Sequence, residues 1–172
     1  MSNGSKIGSS FERDVSKFLS KWIQGTEKPY LFWRMPGSGG LATISEENVD
    51  LSGDIRSLSP KSEWFTEKYS VECKNGYKKT SFWQHFKKIK GFNLEHFWRQ
   101  CVDDASKGDK EPMLIYRKKG QKELVGFDHY WTGLNLPSIR MLFSKEKKLP
   151  PLVFYNMKDF FERITPEDIM NG

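Results

Sequence analysis

The sequence has few cysteines and no long hydrophobic run. Cys73 and Cys101 are its two cysteines, and they form neither a Cys-x-x-Cys pair nor a ligand cluster, so a zinc site is not expected and the thiols are expected to be reduced. No run of about eighteen apolar residues occurs, which excludes a predicted membrane span. The first ten residues, MSNGSKIGSS, lack the apolar segment of a secretory signal. We therefore expect an intracellular protein without a membrane partner.

Histidines are also scarce. His85, His96 and His129 are the three in the chain, and they fall in segments that share no metal-binding pattern. Ordinary structural or surface roles are expected for them.

Basic residues are in excess. Lys and Arg total 28 against 22 for Asp and Glu, a formal net charge of +6 over 172 residues. This length is typical of one domain, here residues 1–172. The positive charge favours an anionic partner, most often nucleic acid, although charge alone does not separate a nucleic-acid-binding protein from a merely basic one.

Hydrophobic periodicity predicts an α/β fold. A helix is expected at residues 11–23, capped by Ser9 or Ser10, and strands are expected at 30–35, 52–59 and 68–74, with a turn at Ser59-Pro60. The glycine-rich stretch 37–52 is interpreted as a loop. Further predicted elements are a helical region at 81–106 with a break at Gly91, a hairpin of strands 113–117 and 124–127, a strand at 152–155 and a helix at 157–163. The pattern indicates a central mixed β-sheet flanked by helices.

Three residues are candidates for catalysis. Glu72 and Lys74 lie two positions apart on a predicted strand, so both side chains emerge on one face while Cys73 points into the core. Asp54 begins the preceding predicted strand and reaches the same end of the sheet if the two strands are adjacent and antiparallel. Two carboxylates beside an amine suit phosphodiester hydrolysis, because hard oxygen ligands hold Mg²⁺ and a lysine stabilises developing charge or activates water. The alternative for Glu72-x-Lys74 is a solvated strand face.

Two segments carry a family resemblance. Gly53-Asp54-Ile55 followed by Val71-Glu72-Cys73-Lys74 resembles the signature of the PD-(D/E)xK nuclease superfamily, with Gly53 in place of the usual proline. The superfamily core, a helix, three strands, a helix and a strand, has the predicted order. The resemblance implies that Asp54, Glu72 and the backbone carbonyl of Cys73 bind Mg²⁺ or Mn²⁺ beside the scissile phosphate, with Lys74 acting on the attacking water.

Two further motifs narrow the resemblance. The segment Gly8 to Arg13 is similar to the start of the first helix in archaeal-type Holliday junction resolvases, and the segment Arg34 to Gly40 is similar to the serine-glycine loop that follows their first strand. In that family the helix glutamate joins the metal-binding acids and the loop serine is implicated in cleavage. These roles fall by resemblance on Glu12 and Ser38. Glu12 has the alternative role of complementing a helix dipole, and Ser38 that of an ordinary loop residue.

Basic residues elsewhere are candidates for DNA contacts. They are Arg34, Lys78, Lys79, Lys87, Lys88, Arg117, Lys118 and Lys119. Three aromatics lie between Lys79 and Lys87, namely Phe82, Trp83 and Phe86. They are expected mostly in the core, although stacking on exposed bases is an alternative.

The function expected from these features is structure-selective cleavage of DNA. A Holliday junction resolvase, acting in recombination, repair or phage DNA processing, is the first hypothesis. A sequence-specific restriction-type endonuclease and an inactive DNA-binding module on the same fold are the alternatives. Symmetric cutting of two strands needs two active sites, so a homodimer is expected. Some of the aromatics Phe97, Trp98, Trp131 and Phe143 are expected at the interface between the two subunits.

Overall fold

The computed structural model describes residues 3–35, 52–75, 93–118, 120–143 and 149–171. Along the chain these residues form the helices and strands α1 (Asn3–Gln24), β1 (Phe32–Arg34), β2 (Ile55–Ser57), α2 (Pro60–Lys68), β3 (Tyr69–Asn75), α3 (Asn93–Lys107), β4 (Glu111–Arg117), β5 (Leu124–Phe127), β6 (Ser138–Met141), β7 (Leu152–Asn156), α4 (Met157–Arg163) and α5 (Pro166–Asn171). No helix within these ranges has the length and apolar character needed to cross a bilayer.

The strands form two sheets. Strands β1 and β2 pair with each other in antiparallel orientation. The other five form a mixed sheet in the order β3-β4-β5-β7-β6, in which β3 and β4 are parallel and the remaining pairs are antiparallel. The α/β class with a central mixed sheet is therefore confirmed.

Both faces of the five-stranded sheet are covered. Met113 and Ile115 of β4 pack into a cluster with α1, α2 and α4, while the alternate residues Leu114 and Tyr116 pack into a second cluster with α3. This division follows from the alternation of side chains along a strand. A strand that buries both faces reads as a continuous apolar run, as β4 does.

Several predicted elements differ from the structure. Helix α1 begins at Asn3, well before the predicted start, so neither Ser9 nor Ser10 caps it. The second strand is confined to Ile55–Ser57, and the expected turn at Ser59-Pro60 instead opens helix α2, with the Ser59 side chain accepting a hydrogen bond from the Lys61 N–H. Strand β6 and helix α5 were not predicted. The hairpin of β4 and β5 is confirmed.

Two of the four aromatics considered for a dimer surface are buried within the chain, so only Trp131 and Phe143 stay candidates for it. Trp98 is fully buried and Phe97 is 5% exposed, both within the cluster beneath α3. Trp131 and Phe143 are partly buried and pack against the two clusters. Packing of α3 onto the sheet accounts for Phe97 and Trp98, since burial of apolar surface is the main driving force of such contacts.

Candidate active site

Gly53 sets the position of Asp54. Its backbone φ is +82°, and a Cβ atom at this position would lie 2.8 Å from both the N and O atoms of Val71. Glycine adopts this conformation freely and tolerates the close approach of β3, whereas proline is fixed near φ −65°. The departure from the superfamily's usual proline therefore has a direct conformational reason in this chain.

Asp54 joins the end of β1 to the middle of β3. Its N–H donates to the Val71 carbonyl at 2.7 Å, and its carbonyl accepts from the Met35 N–H at 2.8 Å. Its side-chain Oδ2 accepts from the Cys73 N–H at 2.8 Å. The sequence places Asp54 near Glu72 only if the second and third strands pair, but within the described residues β2 pairs with β1 and forms no ladder with β3. These single hydrogen bonds bring Asp54 to β3 instead.

Glu72 and Lys74 lie on the face of β3 that α3 covers. Glu72 is 3% exposed, and its Oε1 is in ion-pair contact with Lys74 Nζ. Lys74 Nζ also lies 5.6 Å from the centroid of the Phe97 ring on α3. Cys73 points to the opposite face and packs in the cluster with α1. The burial of Glu72 argues against a merely solvated strand face.

Burial and a neighbouring negative charge raise the pKa of the Glu72 carboxyl group, so that the group is partly protonated near neutral pH. Loss of solvation, with a further contribution from the negative charge of Asp54, raises the pKa of Glu72 from 4.5 to about 7, although Lys74 acts in the opposite direction. Asp54 is itself 5% exposed. The site therefore holds two buried carboxyl groups that repel each other when both are ionised. The single positive charge of Lys74 offsets only part of this repulsion.

Glu12 and Arg34 form the outer part of the site. Glu12 Oε2 lies 3.5 Å from Arg34 Nη1, with the two side chains 16% and 26% exposed. Desolvation raises the pKa of Glu12, and Asp54 contributes in the same direction, while Arg34 and Lys74 act against the shift. Because α1 begins at Asn3, Glu12 lies in the helix interior, and the alternative role at a helix N-terminus does not apply.

The donor set suits a hard divalent cation. Asp54 and Glu72 supply carboxylate oxygens, and Mg²⁺ characteristically takes one or two protein carboxylates together with water and substrate phosphate. Within the part of the chain that the structure describes, no three or more His, Cys, Asp or Glu side chains form a metal-binding group. Glu12 is engaged by Arg34, so its place in a metal shell stays a prediction, as does that of the Cys73 carbonyl.

The predicted DNA-contacting residues are only partly described. Arg117 packs with its guanidinium carbon 4.3 Å from the Phe11 ring centroid and makes ion pairs with Asp14 at 3.8 Å and Glu123 at 3.3 Å. It is thus fixed between α1 and the β4–β5 hairpin. Lys118 lies in the turn that follows, its carbonyl accepting a hydrogen bond from the Gln121 N–H. The remaining candidates, Ser38, Lys78, Lys79, Lys87, Lys88 and Lys119, lie outside the described residues.

Two contributors to the site were not recognised in the sequence. Gly53 was noted only as a departure from a motif, yet a glycine before a candidate catalytic acid is itself a signal for an unusual backbone conformation. Phe97 was one of four aromatics from which a dimer surface was expected to draw, whereas it packs beside Lys74. No local signal identifies that contact, because it depends on how α3 docks onto the sheet.

The α/β core brings Asp54, which immediately precedes β2, close to Glu72 and Lys74 of β3, which is the arrangement that the PD-(D/E)xK resemblance predicts. The chain belongs to the family described as "Phage putative PDDEXK endonuclease", whose model matches residues 3–171.

One curated relative is Protein D14 of Escherichia phage T5, which is 31% identical to this chain over 103 residues. The aligned segment covers 59% of this chain and 60% of that protein's length. No solved structure matches the chain significantly.

Proposed function

We propose that the chain is a metal-dependent endonuclease that hydrolyses phosphodiester bonds in branched DNA, in the manner of a Holliday junction resolvase. The observation that carries the nuclease proposal is the buried pair of carboxyl groups, Asp54 and Glu72, held against Lys74. Burying such a pair costs stability unless a cation compensates it. The membership of a PDDEXK endonuclease family supports the same chemistry.

Each residue has a distinct part in the proposed mechanism. Asp54 and Glu72, with the Cys73 carbonyl, would hold Mg²⁺ or Mn²⁺. The bound cation would neutralise phosphate charge and lower the pKa of a water molecule. Lys74, held by Glu72 and the Phe97 ring, orients the attacking water or stabilises the charge that develops on phosphate.

Glu12 and Arg34 have supporting parts in this proposal. The Arg34 guanidinium holds the Glu12 carboxylate in an ion pair at 3.5 Å, and the negative charge of Asp54 lies close enough to raise the pKa of Glu12. Ser38 remains a proposed participant through the family resemblance alone. The lysines at 78, 79, 87, 88, 118 and 119 are proposed to contact phosphates along the DNA.

Branched DNA is proposed as the substrate because the N-terminal motifs resemble those of junction resolvases. Cleavage of a four-way junction should be compared with that of a linear duplex of matched sequence, each in Mg²⁺ and in EDTA. The proposal expects paired nicks near the branch point in Mg²⁺ alone. Cutting of the duplex at a fixed short sequence would instead assign a restriction-type activity, and tight binding without cutting in any divalent metal would assign a binding module.

A homodimer is part of the same proposal, because symmetric nicks in two strands need two active sites. Light scattering during size-exclusion chromatography measures the mass directly. A dimer mass, retained when junction DNA is bound, is the expected result, and a monomer in both conditions would contradict it.

A further inference from the structure

A cavity lies between α1 and β1, beside the Glu12–Arg34 pair. Its volume is about 230 Å³, and it is lined by Arg13, Ser16, Lys17, Tyr30, Phe32 and Trp33. Two of its lining residues are chain neighbours of that pair: Arg13 follows Glu12 on α1, and Trp33 precedes Arg34 on β1. The two elements that hold the outer pair of the candidate active site thus also form the walls of this cavity.

The cavity is positively charged. The two residues with a formal charge at neutral pH that line it are cations, Arg13 and Lys17, which stand one helical turn apart on the same face of α1. Both are exposed, and neither forms an ion pair within the described ranges of the chain. Arg56 adds a third exposed cation on this side, because it is the direct partner of Trp33 across the β1–β2 ladder and so shares its face.

Aromatic surface lies among these cations. The Trp33 side chain is 42% exposed, whereas its neighbour Phe32 is fully buried. The Tyr30 ring lies 6.4 Å from the Trp33 ring at 45°, and Lys28 Nζ lies 5.9 Å from the Tyr30 ring centroid. An indole left partly open to solvent beside exposed cations matches the chemistry of a nucleotide, which offers a flat base to stack and a phosphate to pair.

We propose that this cavity binds one unpaired nucleotide of the DNA strand next to the cleavage site, its base stacked on Trp33 and its phosphate contacted by Arg13 and Lys17. The assignment to a strand under cleavage rests on the proposed nuclease function. A base inside a duplex has both faces covered by its neighbours, so it must leave the stack to reach an indole. Unstacking costs least where the base is already unpaired. The subsite therefore favours DNA with a branch or a single-stranded segment over continuous duplex.

The test is a binding measurement in EDTA, where no cleavage takes place. Fluorescence anisotropy gives the affinities of labelled single-stranded DNA and of linear duplex for wild type, Trp33→Ala, Trp33→Phe and the double variant Arg13→Ala/Lys17→Ala. Tyr130→Ala is the matched control, because Tyr130 is 47% exposed and carries its own cation, Arg140, at 5.6 Å from the ring centroid. Circular dichroism establishes that each variant is folded.

The subsite predicts that Trp33→Ala weakens single-strand binding between about fivefold and a hundredfold, with a much smaller effect on duplex. Trp33→Phe should retain most of the affinity, since a phenyl ring still stacks. The double cation variant should lower both the affinity and its dependence on salt. Tyr130→Ala should bind as wild type does. Unchanged single-strand affinity in Trp33→Ala, or an equal loss in Tyr130→Ala, would overturn the proposal.

The subsite and the nuclease proposal fail separately. Asp54→Asn and Glu72→Gln should abolish cleavage yet leave the Trp33-dependent binding of single strands intact. If the wild-type protein binds single strands in this way but cuts no DNA, the subsite proposal is supported and the nuclease proposal is refuted. If the protein cuts DNA in Mg²⁺ but its affinity for single-stranded DNA does not depend on Trp33, only the subsite proposal is refuted.

Discussion

Glu72 offers a quantitative test, because its ionisation opposes folding in the absence of metal. Replacing Glu72 with glutamine keeps the size of the side chain and one acceptor oxygen but removes its negative charge from a nearly closed site beside Asp54. The metal-free Glu72→Gln protein should consequently be more stable than wild type at alkaline pH, although the ion pair with Lys74 is lost.

The magnitude follows from the shift in the Glu72 pKa. The folded-state value of about 7 lies above the ordinary value of 4.5, so the folded protein binds more protons than the unfolded chain between these pH values. Wild-type stability therefore falls as pH rises through this window and levels off above it. A shift of this size corresponds to about 3 kcal/mol. The variant should match wild type near pH 4.5 and exceed it by about 3 kcal/mol above pH 8.

Urea unfolding in EDTA at several pH values measures this difference, with the exposed Glu67→Gln as the control for loss of one negative charge. Addition of Mg²⁺ should then stabilise wild type, by about 2.7 kcal/mol at a hundredfold excess over the dissociation constant, and leave Glu72→Gln almost unchanged. A Glu72→Gln protein that is no more stable than wild type at pH 8, or that gains equally at pH 4.5, would refute the electrostatic account of the site.

Other consequences can be tested individually. Asp54→Asn should lower the single-turnover rate of Mg²⁺-dependent cleavage at least about 100-fold. Its far-ultraviolet circular dichroism should remain that of wild type, because asparagine still accepts the Cys73 hydrogen bond. A rate near wild type would contradict the assignment. Lys74→Met removes the charge that lowers the Glu72 pKa, so residual cleavage should rise with pH at a higher midpoint than in wild type. Gly53→Ala should cost more than about 2 kcal/mol in urea unfolding, owing to the positive φ and the contact with the Val71 backbone, and a cost near zero would show that this loop is not under the constraint described. Affinity for DNA in EDTA should fall steeply between low and physiological salt, and a salt-independent affinity would argue against phosphate contacts.

Local sequence patterns carried the information for β3 and for the relation between Glu72 and Lys74. Alternation along a strand is a property of the backbone, so parity places the two side chains on one face without knowledge of the rest of the fold. The burial of Glu72 could not be predicted from this alternation, because α3 must pack over that face of β3 to exclude water. The shift in the Glu72 pKa depends on this packing and is therefore a tertiary property.

The placement of Asp54 depended on contacts between distant parts of the chain. Its hydrogen bonds reach Met35 and Val71, and strand pairing of this kind is not encoded in any short segment. The extended start of α1 had no hydrophobic periodicity to reveal it, and tertiary context overrides weak local preference. Helix α2 did have a signal, a serine cap followed by proline at the first helical position, but the short apolar pattern after it was not distinctive.

The central proposal is that Asp54 and Glu72 together bind a divalent cation for DNA cleavage. The most direct measurement is single-turnover cleavage of a four-way junction across a Mg²⁺ titration by wild type, Asp54→Asn, Glu72→Gln and the exposed-acid control Glu67→Gln. The account predicts cleavage by wild type and Glu67→Gln that saturates with Mg²⁺ and is abolished by EDTA, with both site variants reduced at least about 100-fold at every metal concentration. Cleavage by Asp54→Asn and Glu72→Gln at the wild-type rate, or wild-type cleavage that persists in EDTA, would contradict it.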